Sequence, residues 1–287
     1  MLTTAAALRG ATKHYKTFAL GPVDLAVPAG SILGLIGENG AGKTTALKLL
    51  CGAIRPDGGS VKLLGGSPAD PAIRARIGVV FEDAYFPDCF NAACVGKSMA
   101  GIFGKRWNTA KFDALVCRFE LDGSKKIKEY SRGMRMKLSL ATALAHDPEL
   151  LILDEATAGL DPVVRGELLD LLLDFVQDER HGVLVSSHIT SDLEKVADYI
   201  TFIHAGKIVF SKTKDDILEQ YGVVKCEKAR AAALDGAHIL GRRDSKFDAE
   251  LLVDNRPEVA RLYPGILTEQ ATIDDIMTFF AKGAYDA

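Results

Sequence analysis

The chain has 287 residues, enough for one large domain or two modest ones. Its formal net charge of -3, with 48% hydrophobic and 25% charged residues, is that of an ordinary globular protein and gives no cationic excess for binding nucleic acid, so no nucleic-acid partner is expected. No apolar run approaches the ~18 residues of a membrane span, Met1 to Tyr15 lacks the pattern of a secretory signal, and the five scattered cysteines (Cys51, Cys89, Cys94, Cys117, Cys226) read as free thiols of a reducing compartment rather than a disulfide or metal framework.

In chain order, Val23, Leu25 and Val27 alternate with polar neighbours, as in a half-buried strand of an N-terminal antiparallel β part. Pro28-Ala29-Gly30 marks a turn. Ser31 to Ile36 then reads as a buried strand that runs into a Gly-rich loop. Thr44 to Cys51 follows with apolar residues at helical spacing. Residues from about 88 to 145 are mostly helical in pattern. From Leu150 the order is strand (Leu150–Leu153), helix (Val164–Val176), strand (Val183–Ser186), and alternation of this kind builds a parallel sheet. Tyr199–Ile203 and Ile208–Phe210 flank His204-Ala205-Gly206-Lys207, the pattern of a hairpin. Beyond Tyr221 the pattern predicts only a small α+β piece with a final helix near Ile273 to Ala281.

The loop Gly37-Glu38-Asn39-Gly40-Ala41-Gly42-Lys43-Thr44 matches G-x-x-x-x-G-K-[ST] between a predicted strand and a predicted helix. Gly37, Gly40 and Gly42 let the backbone curl until its N–H groups face one centre, and the helix N-terminus adds partial positive charge. Lys43 can reach the outer phosphates of a nucleotide, and the Thr44 hydroxyl can ligate Mg²⁺. The strand Leu150–Leu153 ends in Asp154 and Glu155, which places two carboxylates at the ligand-binding edge of a parallel sheet. Asp154 is the expected Mg²⁺ holder, and Glu155 the candidate general base for an attacking water. His188 ends another strand. A lone histidine is more often structural, but one at this edge could contact the γ-phosphate and orient water.

Together these pieces resemble the nucleotide-binding subunits of ATP-binding cassette (ABC) transporters over about residues 2 to 215. The resemblance implies ATP and Mg²⁺ as ligands. It also implies a fold of the P-loop NTPase type: an α/β domain over 1–215 with a mostly parallel sheet, an antiparallel β part and a helical subdomain at about 86–148, then a small C-terminal accessory α+β region over 216–287. GENGAGKTT looks like the family's Walker A, which puts Gly37, Asn39, Gly40, Ala41, Gly42, Lys43, Thr44 and Thr45 on the phosphates. Asp154 and Glu155 look like the end of Walker B. Ala158 to Asp161 looks like the D-loop, and Ser187-His188 like the H-switch. Tyr15 stands where the family stacks an aromatic ring on adenine, although a strand-end core aromatic would look the same.

Two departures stand out. The family signature LSGGQ is replaced by Tyr130-Ser131-Arg132-Gly133-Met134, where only Ser131 and Gly133 match. Its usual Mg²⁺-sensing glutamine is replaced by Glu82, a carboxylate that could still ligate the ion. By resemblance, two cassettes sandwich two ATP molecules, each held by Walker A of one copy and by Ser131 and Gly133 of the other. The expected partners are a second ATP-binding subunit and a separate integral membrane transporter subunit, with the protein on the cytoplasmic face of the membrane and export its direction. The region from about Pro87 to Gly104 is expected to carry the docking groove, with Phe86, Phe90, Phe103 and Trp107 as candidate contacts or as plain core. Two other functions remain open at this point. One is a soluble cassette ATPase acting on a ribosomal, nucleic-acid or cofactor-assembly target. The other is a P-loop kinase, which would leave Ser131, Asp161 and His188 unexplained.

Overall fold

A computed structural model describes residues 3–82, 86–231, 233–234 and 237–282. Strands β1 (Thr4–His14), β2 (Ala19–Pro28) and β4 (Gly58–Leu63) form an antiparallel sheet in the order β2-β1-β4. Strands β3 (Ser31–Ile36), β5 (Ile77–Val80), β6 (Leu150–Asp154), β7 (Gly182–Ser187), β8 (Tyr199–His204) and β9 (Lys207–Thr213) form a second sheet in the order β5-β6-β7-β3-β8-β9. Its first five strands are parallel, and β9 returns antiparallel to β8 as the predicted hairpin. The α/β class, the mostly parallel sheet and the N-terminal antiparallel part expected from the sequence are all present.

Strands β3, β6 and β7 are buried along their whole length because both of their faces are covered. Successive side chains of a strand point to opposite faces. Ile32 and Ile36 of β3, Leu151 and Leu153 of β6, and Val183 and Val185 of β7 therefore enter one core, shared with the helical subdomain. Leu33, Leu35, Leu150, Ile152 and Leu184 enter the other, shared with the antiparallel sheet and helix α1 (Lys43–Leu50). A one-residue slip in any of these strands would exchange its residues between the two cores.

A short helix α2 (Pro71–Arg74) leads into β5. The helical subdomain is built from α3 (Ala92–Phe103), α4 (Thr109–Arg118) and α5 (Arg132–Leu144), with Asn91, Asn108 and Ser131 accepting from backbone N–H groups at their starts. These caps satisfy donors that the first helical turn leaves without partners. Helices α6 (Pro162–Phe175) and α7 (Thr190–Val196) follow β6 and β7.

The expected boundary at residue 215 falls at the start of helix α8 (Lys214–Gln220). Beyond it, β10 (Gly222–Glu227), β11 (Ile239–Asp244), β12 (Asp248–Val253) and β13 (Leu267–Gln270) make a four-stranded antiparallel sheet, β11-β12-β10-β13. Helices α9 (Lys228–Ala231), α10 (Arg256–Leu262) and α11 (Ile273–Lys282) accompany it. Neighbouring residues in its strands again face opposite ways. Val224, Leu251 and Val253 pack with Val259 in a small core of their own, whereas Val223 and Leu252 join the main core with Ile276, Phe279 and Phe280 of α11. The Phe280 ring meets Phe202 of β8 edge-on at 5.0 Å, and Tyr221 lies 5.6 Å from Phe210 of β9.

Candidate functional site

Four segments reach the C-terminal edge of the parallel sheet together. The Gly-rich loop leaves β3, Glu82 follows β5, Asp154 and Glu155 end β6, and His188 follows β7. Open parallel sheets bind ligands at this edge. The loop needs its glycines for two distinct reasons. Gly40 and Gly42 have φ of 84° and 111°, in the left-handed region. At Gly37 an added Cβ would come within 2.4 Å of the Ile203 carbonyl oxygen, so the loop can cross β8 only without a side chain there.

Lys43, 6% exposed, donates to the Gly37 carbonyl at 2.7 Å and to the Glu38 carbonyl at 3.3 Å, and stands 3.2 Å from Glu155 Oε1. Glu155 is also held from the other side, with His188 Nδ1 2.7 Å from Oε2 and the His188 N–H donating to the same oxygen. An ionised carboxylate can only accept, so the Nδ1 contact carries the proton on the histidine. His188 thus engages the Glu155 carboxylate. Glu155 itself is a non-glycine residue at φ 52°, a strained conformation of the kind that clusters at functional sites. The N–H of Glu155 donates to the Ser186 carbonyl and hydroxyl, which fixes the turn after β6.

Thr44 Oγ1 donates to Asp154 Oδ2 at 2.8 Å, and Ser186 Oγ donates to Asp154 Oδ1 at 2.6 Å. The hydroxyl and carboxylate are hard oxygen donors brought together by α1 and β6. No cluster of three or more His, Cys, Asp or Glu able to hold a metal occurs among the described residues. Such a sparse donor set fits Mg²⁺, which keeps waters and completes its shell with substrate phosphates.

A cleft of about 470 Å³ opens beside these groups, and His188 and Asp154 stand behind its wall rather than on it. Asn39, Gly40, Gly42, Lys43, Thr44 and Thr45 line it, together with Glu82 and Glu155. Ala41 is buried within the loop and donates its N–H to Glu38. Thr17 and Phe18 also line the cleft. Tyr15, 48% exposed, does not, and instead stacks on Phe18 with centroids 6.5 Å apart. Phe18 was not singled out from the sequence. Its signal was an aromatic three residues from Tyr15 on the same turn between strands. Ser186 was also missed, although a serine inside a fully buried run is a signal in itself.

Ser131 and Gly133 are not in this cleft. They lie at the start of α5, where Ser131 Oγ accepts from Met134 N–H at 3.2 Å. Asp161 caps α6, accepting from the N–H groups of Val163 and Val164. Arg132, beside Ser131, reaches Glu82 with a 2.8 Å ion pair. A separate groove of about 500 Å³ opens between the helical subdomain and β5, lined by Phe81, Phe86, Met99, Phe103 and His146. Phe86 and Phe103 line it, whereas Trp107 is buried beside Phe103 and neither it nor Phe90 reaches the groove. Burial pushes the His146 pKa down, keeping the ring neutral as it donates through Nε2 to the Ile77 carbonyl and stacks on Phe103 at 4.0 Å.

A family profile described as ABC transporter matches residues 20–158. The chain is 34% identical over 220 residues to an uncharacterized ABC transporter ATP-binding protein of Synechocystis sp., covering 74% of this chain and 62% of that protein. The chain thus spans less than two thirds of the length of that relative. It is also 34% identical over 233 residues to the daunorubicin resistance ATP-binding protein DrrA3 of Streptomyces coeruleorubidus, covering 77% of this chain and 72% of that one. Among solved structures, a dimeric ATP-binding cassette in a post-hydrolysis state with ADP and Pi bound aligns over 73% of this chain and 98% of its own, with a TM-score of 0.67 and 21% identity, a likeness of fold.

Proposed function

Since the chain belongs to the ABC transporter ATP-binding family, we propose that it binds ATP, hydrolyses it, and so drives a separate membrane subunit that exports its cargo. The observation that carries this reading is the network at the sheet edge, in which Lys43, Glu155 and His188 are linked in series beside Thr44 and Asp154.

A triphosphate settling into the Gly37–Thr45 loop offers Lys43 a denser negative charge than the two carbonyls and single carboxylate it now contacts. Lys43 then turns to the phosphates, and Glu155 Oε1 is released. His188 keeps hold of Oε2, so Glu155 stays oriented while its free oxygen takes a proton from water. The water oxygen bonds to the γ-phosphorus, the bond to the bridging oxygen breaks, and ADP and phosphate leave. Mg²⁺, held by Thr44 and Asp154, would neutralise charge on the phosphates. Phe18, which lines the cleft and carries Tyr15 stacked on it, supplies the aromatic wall for the base.

Ser131 and Gly133 lie outside the cleft of their own chain, so we assign them to the nucleotide of a second copy. The Ser131 oxygen already accepts from Met134 N–H, which leaves its proton to donate to a phosphate. ATP then binds the closed pair better than the open one, and hydrolysis reverses that preference. We assign the aromatic groove between α3 and β5 as the dock for the membrane subunit, and the cytoplasmic face of the membrane is where we propose that it docks. Within the described residues no helix is long and apolar enough to cross a membrane. Export is supported by the likeness to a drug-resistance ATP-binding protein.

The test is to tag the Glu155→Gln chain, express it in its native cell with ATP present, and identify what co-purifies from detergent-solubilised membranes. One integral membrane protein at near-equal stoichiometry is the expected result. Recovery only from the soluble fraction, with ribosomes, DNA or an assembly scaffold, would overturn the transport reading and leave the ATP site standing.

A further inference from the structure

Two side chains of unlike segments meet beside the nucleotide cleft. Glu82 follows β5 and lines the cleft, while Arg132 is the first residue of α5, 50 positions later. Arg132 Nη2 donates to Glu82 Oε1 at 2.8 Å. The remaining Glu82 oxygen has no partner among the described residues. Gly159, in the turn between β6 and α6, closes over the other side of the same guanidinium, where an added Cβ would stand 3.1 Å from Arg132 Cζ and Nη1. Gly159 also sits at φ 70°, so both its conformation and its neighbour favour glycine. One guanidinium therefore ties the cleft wall, the start of α5 and the turn after Glu155.

Without Arg132, Glu82 would add an unpaired negative charge to a cleft that already holds Glu155 and must accept a polyanion. Both side chains are about half exposed, at 51% and 48%, so the pair is weak enough to respond to a ligand. Resting on the ATP-binding reading of this cleft, we propose that Arg132 is a positioning residue for Glu82: it neutralises the carboxylate, aims its free oxygen at the Mg²⁺ side of the nucleotide, and transmits that contact to α5.

The experiment is a double-mutant cycle on the full chain. Displacement of a fluorescent ATP analogue is measured for the wild type, Glu82→Gln, Arg132→Gln and the double variant, with and without Mg²⁺ and at low and high salt. ATPase rates are read on the same proteins. We expect Arg132→Gln to weaken MgATP binding three- to fivefold at low salt, and the double variant to recover most of that loss. Arg132→Lys, which keeps the charge but not the geometry, recovers binding while kcat stays low, a split that a folding defect would not produce. Single effects that simply multiply in the double variant, at both salt concentrations, would overturn the proposal. If the wild type binds no nucleotide at all, the reading of the cleft has failed instead.

Discussion

Lys43 is enclosed by oxygen atoms, two carbonyls of its own loop and one carboxylate. An ammonium so deeply buried needs every one of those partners. Replacing it with alanine removes the charge that answers the phosphates. Lys43→Ala is expected to weaken ATP binding about 10- to 100-fold, the scale of a lost charge-assisted hydrogen bond in a closed site; unchanged affinity by calorimetry would contradict the phosphate-loop reading. Glu155→Gln keeps the shape and loses the basicity, so single-turnover hydrolysis should fall about 10²- to 10⁴-fold while ATP affinity holds. At this scale the sequence was informative wherever local order fixes chemistry. Lys43, Thr44, Asp154 and Glu155 could be named because a loop after a strand and a carboxylate pair after a strand place their own side chains. The bond between His188 and Glu155 could not, since it depends on how β6 and β7 register across the sheet. The meeting of Glu82 with Arg132 was equally hidden, although each had been noticed alone as a departure from the family pattern.

Helix α6 starts with Asp161 accepting from two backbone N–H groups and with Pro162, whose missing N–H costs nothing at a helix start. Asp161→Ala is expected to cost about 1 kcal/mol of stability, read as a lower chemical-denaturation midpoint, and Asp161→Asn to recover most of it. His146 links α5 to β5, and its burial makes stability depend on pH. Its folded pKa lies below the ordinary 6.5, so on acidification the unfolded chain takes up this proton before the folded one does. The contribution of His146 is therefore intact above about pH 6.5 and declines as pH falls below it. His146→Gln, which can donate but does not titrate, should flatten the change in unfolding midpoint between pH 7.5 and pH 5. An unchanged slope would mean that other groups control it. Among the elements, β3, β6 and β7 were legible as unbroken apolar runs, and the β8–β9 hairpin as two runs around a turn. The strands β10 to β13 were not. Charged residues such as Lys225, Arg242, Glu250 and Glu269 interrupt them, and their apolar residues divide between two cores, so no single stretch shows a strong period.

Across the whole molecule, the region after residue 220 shares the core of the nucleotide-binding sheet. Phe279, 1% exposed, packs under the Arg243 guanidinium at 4.2 Å, and Phe280 meets Phe202 of β8. Phe279→Ala should cost about 3–5 kcal/mol. Because the core is continuous, that loss should lower the unfolding midpoint recorded from the sheet as much as that recorded from the tail. Two transitions, with only the later segment destabilised, would show that the tail folds as a separate unit. The sequence marked a final helix near Ile273 to Ala281 but not the surface it covers, since that surface is assembled from separate strands, β8 of the main sheet and β11 of the later one.

That seam also fixes an order of events during synthesis. Phe202 emerges from the ribosome well before residue 280, and in the interval its ring has no lid. Chains grow at roughly 5–20 residues per second, so for several seconds the nascent sheet carries its catalytic loop and carboxylates but still presents a bare apolar face. A chaperone that shields such faces would be engaged during this window and released by arrival of the final phenylalanines.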